Sequence, residues 1–130
     1  MIKANTKCIV HGCGKKRAPG RRYCREHYLE AQRSRYNARI MAEKALGRKL
    51  KTDEMVHHLD MDTMNNDPKN MVIISHEHHD ELHAYLREQG REHTETKEGY
   101  RSPLLTNYIL GLTRRWFKRN NLALKTLADY

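Results

Sequence analysis

Long apolar stretches are missing from this chain. Its 130 residues contain no run of about 18 apolar positions, the length a membrane-spanning helix requires. The opening, MIKANTKC, has no apolar segment of signal-peptide length, so the expectation is a cytosolic protein with no membrane role. Cysteine is sparse: three residues cannot pair completely into disulfides, and a cytosolic setting disfavours disulfides in any case. There is no internal repeat and no low-complexity tract. Hydrophobic residues make up 38% against 32% charged, which leaves a modest core that a bound metal would help to stabilise. This length suits one compact domain, or a small domain with appended modules, and one catalytic or binding centre.

Acidic residues are scarce outside the middle of the chain. Residues 1–50 carry 14 Lys and Arg against 3 acids, residues 51–98 carry 5 against 12, and residues 99–130 carry 6 against 1. Two basic arms thus flank an acidic, histidine-rich centre, and the net charge is +9. Lys and Arg in such arms draw a phosphate backbone through counterion release. The basic blocks also hold aromatics, RRYCREHY and TRRWFKR, which points to a nucleic-acid partner.

The cysteines fall into a pattern with a histidine. Cys8, Cys13, Cys24 and His27 read C-x4-C-x10-C-x2-H around a basic Gly/Pro loop. A tetrahedral structural zinc takes four such ligands from two short turns, and its binding energy replaces a core that so short a segment cannot build. His11 competes as a ligand, because Cys8-x2-His11 is also sterically feasible.

Residues 23–46 contain neither proline nor glycine and are rich in Ala, Leu, Glu, Arg and Met, so they read as a helix ended by Gly47. Its apolar Leu29, Tyr36, Ile40 and Leu46 are only loosely periodic, the mark of a helix more solvated than buried. Beyond the linker GRKLK, residues 54–59 read as a strand, NNDPKN as a turn and residues 71–74 as a second strand. Ser75 suits the N-cap of a helix from His76 to about Gln89, closed by Gly90. Strand, loop, strand and helix make a ββα unit. Residues 91–101 read as a polar loop. Pro103 opens a helix to about Arg119, with Leu104, Leu105, Tyr108, Ile109, Leu112 and Trp116 near one face, and LALKTLADY reads as a short final helix. The expected class is α+β: a small ββα core over residues 51–90, a zinc knuckle and basic helix over 1–50, and a linker and basic helical tail over 91–130.

Six of the nine histidines lie between residues 55 and 85. In a helix from His76, a rotation of about 100° per residue puts His78, Leu82, Tyr85 and Leu86 on a core-facing stripe. His79 and His83 stack four apart on the adjacent face, with His76 one turn earlier. A pair at i and i+4 can hold one metal ion between them. Successive strand residues face opposite ways, so His57 and His58 serve different ends, one toward a metal and the other toward what the metal activates. Hydrolysis of a phosphodiester needs that division between a cation and a base.

The stretch VHHLDMDTMNNDPKNMVIISHEHHDELH, residues 56–83, resembles the HNH endonuclease motif, the ββα-metal nuclease core of phage homing endonucleases and nuclease-type colicins. The resemblance is carried by the paired His57 and His58, by Asn70, and by His79 and His83 on the helix; the NNDP-x-N turn is similar to many phage members. The N-terminal knuckle is similar to zinc modules in front of some HNH domains. The resemblance implies a metal-dependent DNA endonuclease, of a phage homing or packaging-associated nicking type, working in the host-cell cytoplasm if phage-encoded. It implies His58 as general base and His57, His79 and His83 as ligands of one catalytic divalent metal, as in the colicin-like subgroup. Asn70 would brace the loop, holding the backbone and ring of His58. Homing members often have Asp at the first position and Asn in the helix, where this chain has His57 and His79. Three imidazoles suit zinc, nickel, cobalt or manganese better than magnesium, although Asp60, Asp62 and Asp80 offer oxygens that would make magnesium tolerable. One catalytic metal and one structural zinc are expected, and no small-molecule organic cofactor.

Double-stranded DNA is the expected partner; the oligomeric state is open. A ββα core in this family contacts mainly backbone, so specificity falls to the arms: Arg33, Arg35 and Arg39 in the first helix, and Arg114, Arg115, Lys118 and Arg119 on a basic face around Trp116 and Phe117. Arg87, one turn beyond His83, is placed to touch the scissile phosphate. The competing reading is a non-catalytic, zinc-bearing DNA-binding protein whose histidines hold a structural metal.

Overall fold

A computed structural model describes residues 6–10, 12–89 and 103–130. His11, Gly90, the loop expected over 91–101, and the side chains of Leu104 and Leu105 lie outside the described residues.

The N-terminal knuckle consists of short turns folded against one another. Lys7 and Lys16 form an antiparallel bridge, while Cys8 N–H donates to Lys15 C=O at 2.7 Å and Ile9 N–H to Arg22 C=O at 2.8 Å. Gly12 and Gly14 flank Cys13 at φ 80° and 72°, left-handed values that a residue without Cβ takes freely. Helix α1 follows over Arg25–Leu46. It starts two residues later than the sequence suggests because Cys24 is extended and its sulfur caps the helix, accepting the His27 N–H. Gly47 ends it at φ 71°, with its N–H bonded to Glu43 C=O. Only Ala31, Ala38 and Ala42 are buried along it, and Tyr36 is 67% exposed. The helix is mostly solvated and approaches the sheet on small side chains.

Strands β1 (Glu54–His58) and β2 (Met71–Ser75) pair antiparallel, with His57 opposite Val72 and His58 opposite Met71. Directly opposed residues share a face. One face therefore carries Met55, His57, Val72 and Ile74, and the other Val56, His58, Met71 and Ile73. Val72 and Ile74 pack with Leu82 and Leu86 of α2 (His76–Glu88) and with Leu112, Trp116 and Phe117 of α3 (Pro103–Arg119). Met71 packs on the opposite side with Ala38, Ala42, Leu50 and Leu127. A lone two-stranded sheet is marginal in water; cover on both faces makes it stable and explains the unbroken apolar run Met71–Ile74. Ser75 ends β2 and also caps α2, its hydroxyl accepting the His78 N–H at 3.1 Å, so no loop separates strand from helix. Gln89 is the C-cap of α2.

The closing LALKTLADY departs from expectation. Thr126 bridges to Val72, and only Leu127–Asp129 turn, as a 3-10 helix. Pairing beside β2 keeps this segment extended and plugs Leu127 into the core under α1. The tail is corrected in a second respect: Trp116 and Phe117 are 4% and 3% exposed, so the basic residues of α3 surround no accessible aromatic pair. Tyr108, expected on the apolar face, is 48% exposed. Among the described residues no helix is long and apolar enough to cross a membrane. The class is α+β, with a Cys/His cluster at the N-terminal end.

Candidate active site

Strand parity and helix pitch bring three imidazoles together. His57 projects from the end of β1 on the face it shares with Val72, and α2 crosses that face with His79 and His83 one turn apart. The Nε2 atoms of His79 and His83 are 2.9 Å apart. The His57 ring stands edge-on to both, with centroids 5.3 and 5.6 Å away. One ligand atom from each of the three lies within 4.8 Å of the others.

Burial holds the His57 ring well below its ordinary pKa, reinforced by the neighbouring His79, His83 and His58. Burial, followed by the charge of His83, brings His79 down to about 4, against the weaker pull of Asp80. Both rings are therefore neutral at pH 7 and present lone pairs. His57 Nε2 is buried and has no hydrogen-bond partner among the described residues, a condition that costs about 1–3 kcal/mol. A cation bonded to that nitrogen would remove the cost. Bonds of about 2.0–2.1 Å from a zinc-like ion can draw together three nitrogens spread over less than 5 Å, so this donor set fits a divalent metal.

His58 leaves the strand on the opposite face. Its Nε2 is 2.8 Å from Asn66 Oδ1, and Asn66 Nδ2 donates to the Ser34 C=O of α1 at 2.9 Å. With the amide nitrogen committed to Ser34, the amide oxygen faces His58, which must donate from Nε2–H. In the neutral form of the ring, that leaves the lone pair on Nδ1.

The turn between the strands is tied by side chains. Asn70 Nδ2 donates to Asp60 Oδ1 and to Asn65 C=O, both at 2.9 Å, and its Oδ1 accepts Asp60 N–H at 3.1 Å. Asn70 therefore ties the loop at Asp60, two residues beyond His58, and the ring of His58 is held by Asn66 instead. Asp60 also accepts from Asp62 N–H and Asn65 Nδ2, so its carboxylate is spent within the loop. Asp80 is 85% exposed, 3.9 Å from His79 Nδ1. None of Asp60, Asp62 and Asp80 joins the histidine group.

Residues 35–81 match the family model described as HNH endonuclease. Over that segment the chain is similar to HNH endonucleases. The match begins within α1 at Arg35, takes in both strands, the turn, His57, His58, Asn70 and His79, and stops two residues short of His83. No curated protein and no solved structure matches the chain.

In front of the matched segment, Cys8, Cys13, Cys24 and His27 form a second cluster, their ligand atoms all within 4.8 Å of one another. His27 Nδ1 is 3.4 Å from Cys8 Sγ and 3.3 Å from Cys24 Sγ. Burial raises the Cys8 thiol. Burial acts on Cys24 in the same sense, but the His27 amide and the other two thiols outweigh it and bring that pKa below the ordinary value. Two of these four residues, Cys24 and His27, are the cap and first turn of α1, so the knuckle and the helix are one unit.

A cleft of about 610 Å³ opens between that unit and the ββα core, and all four of His57, His58, His79 and His83 line it. Arg35 and Arg39 line it too. Arg33 is exposed and outside the lining, since two residues before Arg35 on a helix is nearly the opposite side. Arg87, Arg114, Arg115, Lys118 and Arg119 are exposed and also outside the cleft; Arg119 lies over the Tyr85 ring, 5.7 Å from its centroid. Sequence reasoning missed Arg22, Tyr23 and Tyr36 in the cleft wall and the clasp Asn66 makes between His58 and α1. The NNDP run looked like turn chemistry alone, and nothing local to it announces a partner 32 residues upstream.

Proposed function

We propose that this chain is a metal-dependent HNH endonuclease that hydrolyses phosphodiester bonds in double-stranded DNA. The supporting observation is the divided pair: His57, whose buried Nε2 has no hydrogen-bond partner among the described residues, groups with His79 and His83, while His58 lies on the other face of the same strand and is held through Nε2 by Asn66. His57, His79 and His83 would hold the catalytic ion, with zinc, nickel, cobalt or manganese favoured over magnesium because the donors are nitrogens. When bound, that ion supplies positive charge to the scissile phosphate and the departing 3′ oxygen.

His58 acts as general base. A water proton passes to Nδ1, the water oxygen bonds to phosphorus, and the bond from phosphorus to the 3′ oxygen breaks. An imidazole suits this step near neutral pH. Asn70 shapes the loop beside the base, and Arg35 and Arg39 attract the phosphate backbone from the cleft wall. Cys8, Cys13, Cys24 and His27 hold a structural zinc that builds the other wall. Arg33, Arg87, Arg114, Arg115, Lys118 and Arg119 add contacts outside the cleft. One such centre cuts one strand, so a monomer nicks; the NNDP-x-N turn supports a phage homing or packaging-associated role.

The test is supercoiled plasmid incubated with the metal-loaded protein. The wild type converts it to the open circle and His58→Ala does not. A non-catalytic DNA-binding protein would leave the supercoiled band intact in both reactions, and that result would overturn the reading.

A further inference from the structure

The reacting groups are deep. His57 and His58 are 3% and 6% exposed, so a scissile phosphate has to enter the cleft to reach them. About 610 Å³ falls in the range of roughly 300–1,000 Å³ that encloses small-molecule-sized ligands. Among the described residues the lining includes Arg22, Arg35 and Arg39 and not one carboxylate, which matches an anionic occupant. Much of the remaining wall is apolar or aromatic, including Val56, Met61 and Tyr36.

A paired strand turns sugars and phosphates outward and keeps its bases stacked inside, so it offers such a wall nothing flat to cover it. A base turned out of the stack does. Tyr36 is 67% exposed, sits in sequence between lining residues Arg35 and Arg39, and provides a ring of the kind on which bases stack with little regard to sequence. We propose that the cleft seats an unstacked nucleotide of the DNA strand beside the scissile phosphate. The preferred substrate class is then duplex DNA with a locally unpaired nucleotide, such as a bulge or small bubble. This rests on the endonuclease reading for the phosphate's destination, and on the cleft's size, charge and lining for the nucleotide's.

The test uses full-length His58→Ala protein loaded with metal, and oligonucleotide duplexes that carry 2-aminopurine either fully paired or in a one-nucleotide bulge. The bulged duplex should bind about tenfold tighter, with its 2-aminopurine quenched on binding as the base stacks on the Tyr36 ring, a quenching that Tyr36→Ala relieves. Adding Tyr36→Ala should reduce that preference about tenfold, whereas Tyr36→Trp should retain it. Tyr108→Ala, on α3 and outside the cleft lining, should leave it unchanged. Tyr36 is exposed, so its variants are expected to fold, and circular dichroism checks this. Equal affinity for paired and bulged duplexes, or a preference indifferent to Tyr36→Ala, would overturn the proposal. Binding is read without turnover, so a bulge preference in a protein that cuts nothing retires the nuclease reading alone. Nicking of paired and bulged duplexes at one rate by the wild type retires this inference alone.

Discussion

Asn66 Oδ1 lies 2.8 Å from His58 Nε2, and the same amide reaches Ser34 C=O with its nitrogen at 2.9 Å. A residue of the turn thus connects the ring expected to take the proton with a helix that precedes the ββα core. Ser34 Oγ returns the contact by donating to Thr63 C=O at 2.6 Å, so α1 and the turn grip each other twice beside the base.

Removing the clasp should uncouple geometry from binding. Asn66→Ala frees His58 to rotate and to take the wrong tautomer, and kcat should fall about 10–100-fold, as is usual for residues that orient a reacting ligand. KM should change little, because Asn66 is not in the cleft wall. Steady-state kinetics on a nicked-plasmid assay decide it; a rise in KM with kcat intact would count against the clasp.

Metal stoichiometry should separate the two clusters. The metal-loaded wild type should carry two ions, one for each group. His57→Ala should lose one and keep the ion at the knuckle, while Cys13→Ala should do the reverse. Elemental analysis of dialysed protein measures both. An unchanged count in His57→Ala would remove the three-histidine assignment.

Acid should destabilise the metal-free chain. His79 titrates at about 4 in the fold and His57 well below its ordinary value, both chiefly through burial, whereas unfolded histidine takes its proton near 6.5. Between those values the unfolded chain binds more protons, so stability rises with pH. The contribution is intact above about pH 6.5 and is lost as the pH falls toward 4. Thermal melts of chelator-treated protein should show this loss, and His79→Gln should show a shallower one over the same range.

DNA binding should weaken steeply with added salt, because in the proposed complex Arg and Lys of the cleft and both arms would meet phosphate. Arg35→Ala and Arg39→Ala should each lower the slope of log K against log salt by about 1. Fluorescence anisotropy across a salt series measures it. A flat profile would mean that the arms are not phosphate clamps.

The core of the fold should be intolerant at α2. Leu82 is fully buried between β2 and α3, and Leu82→Ala should cost about 2–5 kcal/mol. Chemical denaturation reads the loss, and activity should fall with the folded fraction.

What the sequence alone determined about this protein is what local chemistry controls. Gly47 stops α1 because glycine accepts a positive φ; Ser75 starts α2 because its hydroxyl reaches the His78 amide; alternation along a strand separates His57 from His58, and the four-residue spacing stacks His79 on His83. The spacing of three cysteines and a histidine announced their cluster in the same way. Only the tertiary structure decided the rest, because those outcomes depend on partners distant along the chain. Bridging to Val72 turned the closing segment from the expected helix into an extended strap, and packing on α2 and β2 drew Trp116 and Phe117 into the core. The side of α1 that meets the sheet centres on Ala38 and Ala42, with Met41 and Leu46 packed beside them, since close approach needs small side chains at its centre. That orientation brings Arg35 and Arg39 into the cleft and leaves Arg33 outside it.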